Sequence, residues 1–134
     1  MEAQEIDARI TSDDNSLPPN SAIVEWCDLL QEGIVKAGLS LQVTGSEYKQ
    51  MMEDAGFVDV QVIPFKVPIG PWPKDERLRE AGRANLVATL DGVHSMMLAI
   101  WTRLLERNII ELELFLQRVR KEMMTRSVHS YWPL

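Results

Sequence analysis

The chain has 134 residues and a net charge of −6, a length that suits one domain, 1–134. Its Lys and Arg residues are interleaved with Asp and Glu, which argues against a nucleic-acid groove or an anionic membrane surface as partner. No apolar run is long enough to cross a bilayer, the acidic start has no apolar signal core, and the one cysteine, Cys27, excludes an internal disulfide, so a reducing, cytoplasmic setting is expected.

Residues 2–10 alternate weakly, with Ile6, Ala8 and Ile10 opposite Glu5, Asp7 and Arg9, as in an edge strand. Residues 11–20 are loop chemistry, and Asp13-Asp14 reads as part of a solvated loop. A first helix opens at Asn20 or Ser21 and stops at Gly38; Ile23, Trp26, Cys27, Leu30, Ile34 and Ala37 form its apolar stripe. Cys27 on that stripe reads as a small core residue. A short helix follows from a Ser46 cap to Ala55, with Gly56 as its stop.

Residues 57–67 carry the strongest strand signal, with Val58, Val60 and Val62 on one face and Pro64 confining the segment to an edge or a bulge. Next comes a stiff segment, 67–75, in which Pro68, Pro71 and Pro73 forbid helix and surround Gly70 and Trp72. It reads as a rigid hinge between the extended and helical halves. Asp75 caps a helix running to about Leu90, and Asp91-Gly92 allows a kink. Val93, Met96, Met97, Ile100, Trp101, Leu104 and Leu105 make a wide apolar face, Asn108 closes that helix, and a last helix covers about 109–125. The expected fold is therefore α+β and mainly helical: about five helices with one or two edge strands, 2–10 and 57–67, and not a full Rossmann fold.

Four segments in order, 26–30 (WCDLL), 54–58 (DAGFV), 67–75 (VPIGPWPKD) and 126–134 (RSVHSYWPL), resemble the C-terminal half of the fungal LaeA-like class I methyltransferases. The resemblance covers nearly the whole chain. It implies that 2–10 corresponds to the family's fifth strand, 57–67 to its sixth, and the helices to its substrate lid. The family holds S-adenosylmethionine with a glycine-rich turn after its first strand and an acidic residue after its second. Here the glycines stand at 33, 38, 45, 56, 70, 82 and 92, with no G-x-G spacing, and the first four strands have no counterpart. The expectation is a truncated relative that binds no cofactor and transfers no methyl group alone. The family's last strand lies between the fifth and sixth and is expected beyond Leu134. Its absence would leave open edges, so a homodimer, with or without exchanged strands, is expected to complete the fold.

The retained lid implies a pocket for a small apolar metabolite. His94 and His129 are the only histidines, and Tyr131 stands two residues from His129. With a carboxylate such as Asp75 or Glu25, they suit acid–base chemistry; Trp72, Trp101, Arg103, Trp132 and Trp26 are candidates to surround a ligand. Each has a plainer role open to it: a packed tail for 129–132, a wedge for Trp72, core for Trp101, an ion pair with Glu106 for Arg103. No metal-ligand spacing is present. The expected function is a cofactor-independent enzyme of fungal secondary metabolism that cyclises or isomerises a polyketide- or terpenoid-like intermediate. The alternatives are a non-catalytic interaction or regulatory module, or one piece of a split methyltransferase.

Overall fold

A computed structural model describes all 134 residues. In chain order it contains α1 (Ala22–Lys36), α2 (Gly45–Asp54), β1 (Lys66–Pro68), α3 (Glu76–Ala99), a π-helical turn (Ile100–Leu104), α4 (Ile109–Met123) and β2 (Tyr131–Pro133). The fold is α+β and mainly helical, with four α-helices and a small sheet, and it is not a full Rossmann fold.

Each helix starts where a short polar side chain can satisfy a free backbone N–H. Ser21 accepts from Val24 N at the start of α1, Asp75 from Leu78 N at α3, and Asn108 from Ile110 N at α4. The α2 cap is Thr44 rather than Ser46, because Glu47 reaches back to the Thr44 backbone and closes a capping box. Asn108 thus opens α4, and Gly38 follows α1 at φ +78°, a left-handed position that suits glycine.

The core lies between α1, the C-terminal part of α3, the π-helical turn and α4. Ile23, Trp26, Met97, Leu112, Leu116 and Val119 are fully buried there. Burying each such side chain contributes about 1.5–3 kcal/mol. Trp101 stacks on Phe115 with ring centroids 5.5 Å apart, and its indole N–H donates to the Asn108 carbonyl at 2.8 Å. Gly33 lets Ile100 approach; a Cβ there would sit 2.2 Å from Ile100 Cγ2. Glu122 of α4 reaches across to accept from Ala22 N at 2.7 Å and from the Ser21 hydroxyl, tying the two helices end to end.

The expected kink at Asp91-Gly92 does not occur, since α3 passes through both residues without a break. A glycine inside a helix costs only about 1 kcal/mol, less than a helix of 24 residues recovers by packing. The irregularity falls later, in the π-helical turn at Ile100–Leu104, where Trp101 enters the core.

The two expected strands are much shorter than their sequence patterns. Of 57–67 only the end enters β1; Asp59 takes φ +55°, Pro64 has no N–H, and no neighbouring strand pairs with 57–64. In 2–10 the Asp7 side chain turns back to accept from Arg9 N at 3.0 Å, which interrupts the extended run, and the bridge to Tyr131 is made by Thr11, just past the segment.

The tail fills the place expected to be vacant. β2 pairs antiparallel with β1 in the register Lys66 to Pro133, Val67 to Trp132 and Pro68 to Tyr131. On its other side Asp7 N donates to the Pro133 carbonyl at 2.9 Å, and Thr11 and Tyr131 exchange hydrogen bonds. The tail therefore lies between the two extended segments, and the open slot that motivated strand exchange in a homodimer does not exist.

The 67–75 segment is the joint between this sheet and α3. Ile69 is buried in the core. Gly70 takes φ +98°, its N–H donates to the Gly82 carbonyl at 2.9 Å, and a Cβ on Gly82 would sit 2.1 Å from the Gly70 oxygen. Asn85 donates to the Pro68 carbonyl at 2.8 Å. A rigid strand-to-helix connector is thus locked to the helix it feeds.

Candidate functional site

The expected site residues separate into three groups. Trp26, Trp101 and Trp132 are buried, and Trp26 and Trp132 pack against one another at 6.3 Å. Their roles here are core and sheet, and the buried Trp26 indole N–H has no hydrogen-bond partner. Asp75 caps α3, and Glu25 faces Arg118 at 3.4 Å, so neither carboxylate pairs with a histidine. Arg103 is exposed in the π-helical turn and forms no ion pair, with Glu106 or otherwise. His94 on α3 has its Nε2 2.9 Å from Glu113 on α4, an inter-helix contact of half-exposed side chains.

The third group converges. His129 precedes β2, and its ring stacks on Trp72 with centroids 5.4 Å apart and planes 29° from parallel. Trp72 is held in turn, because its indole N–H donates to the Ser130 carbonyl at 3.0 Å. His129 Nδ1 lies 2.5 Å from Asp14 Oδ2, and the His129 backbone N–H donates to Ser16 Oγ at 2.7 Å. Two residues on, the Tyr131 hydroxyl donates to Asp13 Oδ1 at 2.7 Å. Lys66 pairs with the same carboxylate and stands 4.9 Å from the centre of the Tyr131 ring.

Three stretches far apart in sequence build this cluster: the loop at 12–16, the stiff joint and the tail. The loop is shaped by its own side chains. Asp14 accepts from the Ser12 hydroxyl at 2.7 Å and from Ser16 N at 3.1 Å. Those serine contacts, and then His129, hold the Asp14 carboxyl well below the usual carboxylate range. Asp13 is lowered by Lys66 first and Tyr131 second, while the Asp13 carboxylate raises the Tyr131 phenol. Burial pushes the Cys27 thiol up to about 12, which removes it as a nucleophile.

By sequence, the carboxylates at the histidine and tyrosine are only loop chemistry. Their signal was weak: two acids flanked by serines, with nothing local to show that the loop docks on a tail more than a hundred residues away. Lys66 gave no signal beyond its place at the end of a strand pattern.

Two surface depressions, of about 420 and 360 Å³, lie along α1 and α4. Neither lining includes His94, His129, Tyr131, Trp72 or Trp101. No group of three or more His, Cys, Asp or Glu side chains is placed to hold a metal ion. No helix is long and apolar enough to cross a membrane.

Comparison with known proteins shows what the chain is similar to. Along nearly its whole length it is similar to the C-terminal part of the fungal LaeA-like methyltransferases. It is 31% identical over all its 134 residues to the probable methyltransferase tdiE of Emericella nidulans. It is 32% identical over 130 residues to the methyltransferase pytC of Aspergillus terreus, and 30% over 127 residues to the secondary metabolism regulator laeA of Fusarium oxysporum f. sp. lycopersici. These matches take in 100%, 97% and 95% of this chain but only 42%, 40% and 40% of the relatives, so it spans about two fifths of their length. No family model matches the chain, and no solved structure matches it.

Methyltransferases imply S-adenosylmethionine, and the residues here do not fit it. The cofactor's usual cradle is a glycine turn between a parallel strand and a helix, where backbone N–H groups stay open. The sheet here is antiparallel. The glycines at close approaches, Gly33, Gly45 and Gly82, are already filled by Ile100, Val62 and the Gly70 carbonyl. The N-terminus of α3 is closed by its own Asp75. These positions leave no cradle for the cofactor.

Proposed function

We propose that this chain is a methyltransferase-like element of fungal secondary metabolism that acts beside a cofactor-binding domain not built from its own residues. One observation carries the reading: the full length of the chain aligns with about two fifths of proteins named methyltransferases and secondary metabolism regulators. The surface adds support. Phe57, Val58, Val62, Ile63 and Phe65 are exposed together along the approach to β1, an apolar strip of the kind that partners cover. A cofactor-binding domain, in the same polypeptide or another, is the proposed partner. A second copy of this chain is the alternative, and the solution mass distinguishes the two.

The His129–Asp14 contact favours a second reading. In it, the chain uses no cofactor and cyclises or isomerises a small polyketide- or terpenoid-like intermediate by moving a proton. Deleting the gene in its host and profiling metabolites separates the readings. An accumulated unmethylated compound, or a broad loss of products, supports the first. An accumulated uncyclised compound that already carries its methyl groups supports the second and overturns the first.

A further inference from the structure

His129 is held at several points, more than a tail anchor requires. Its backbone N–H is bound to Ser16, its ring lies on Trp72, and its Nδ1 is bound to Asp14. Asp14 is fixed in turn by Ser12 and the Ser16 backbone. Meanwhile the imidazole side chain remains 39% exposed, and its Nε2 meets no donor or acceptor of this chain. A carboxylate at Nδ1 selects the tautomer that carries its proton there, which leaves a lone pair on Nε2 directed away from the carboxylate. His94 has the opposite arrangement, since its Nε2 is occupied by Glu113.

We infer that His129 Nε2 is a proton acceptor for a weakly acidic hydroxyl of phenol or enol type, and that Asp14 is its positioning residue. The inference concerns residues of this chain alone and stands under either reading of function. The step balances without a co-reactant: the Nε2 lone pair takes the hydroxyl proton, the oxygen keeps the bonding pair, and the resulting imidazolium is compensated by the Asp14 carboxylate. Imidazole is a weak base, so an aliphatic alcohol is too poor an acid for this step, whereas phenols and enols are within reach. The Trp72 ring stacked beside the imidazole is an aromatic neighbour that suits such planar groups. Lys66 stands by Tyr131 and is paired with Asp13.

The probe is 4-nitrophenol, whose ionised form absorbs visibly when its proton is taken. At a pH just below its own ionisation, the wild-type chain should raise the phenolate signal saturably. His129→Gln should abolish the rise, Asp14→Asn should reduce it severalfold, and His94→Gln should leave it unchanged. Asp14→Asn keeps the imidazole and the loop's shape, so it guards against a folding defect in the histidine variant. In parallel, nitrogen NMR should find neutral His129 with its proton on Nδ1 in the wild type and a mixed tautomer in Asp14→Asn, a change that a purely anchoring ring would not show. No saturable signal in the wild type, or an equal signal in His129→Gln, overturns the inference; so does a neutral wild-type ring with its proton on Nε2.

Discussion

Gly82 is the residue on which the joint between sheet and helix depends. The Gly70 carbonyl occupies the space a side chain would need, and backbone cannot rotate away as the tip of a flexible side chain can. Gly82→Ala should therefore cost about 1–3 kcal/mol by overpacking, although alanine is the better helix former by about 1 kcal/mol. Urea unfolding measures it, and an unchanged midpoint would show that the close approach is not made. Asp14 is a residue whose importance was hidden in the sequence. A Ser-Asp-Asp-Asn-Ser loop has the same composition whether it is solvated or docked, and its partner His129 lies at the other end of the chain. Its carboxyl is depressed, so its contacts contribute fully above the unfolded value of about 3.9 and are lost only as pH falls through the lower folded value. The Ser16 and His129 amide resonances should accordingly keep their native positions at about pH 4. A shift centred there, at the ordinary carboxylate value, would contradict the docked loop.

Among the elements, helices were the more legible because their signals are local. Ser21 and Asp75 stand at helix starts as their residue types suggest, Asn108 opens α4 rather than closing the preceding helix as expected, and the stripe of Ile23, Trp26, Cys27 and Leu30 is buried as a stripe. Strands were less legible, because a strand is defined by its partner. The alternating valines of 57–67 have nothing to pair with until Phe65 meets Leu134, whereas the tail, readable as a set of aromatic anchors, becomes the middle strand between two extended segments. Gly92 shows a different limit: a helix breaker by its dipeptide context, it sits inside an unbroken α3. Gly92→Ala should stabilise the protein by up to about 1 kcal/mol, since the nearest contact of an added Cβ is the flexible Met96 sulfur at 3.4 Å. A loss of stability on thermal unfolding would instead indicate a bend at that position.

For the molecule as a whole, the structure concentrates its polar chemistry where loop, joint and tail meet, and leaves an apolar strip uncovered beside the sheet. The His129 cluster was half visible in sequence: His129 and Tyr131 stood out by residue type and spacing, while Asp13, Asp14 and Lys66 required the fold to bring them there. The same architecture gives no cradle for S-adenosylmethionine, although the relatives are methyltransferases. On the proposed function, this chain works beside a cofactor-binding domain it does not itself supply. Calorimetric titration of S-adenosylmethionine into the 134-residue chain tests that proposal. No saturable heat is expected; a saturable one-to-one isotherm would contradict it.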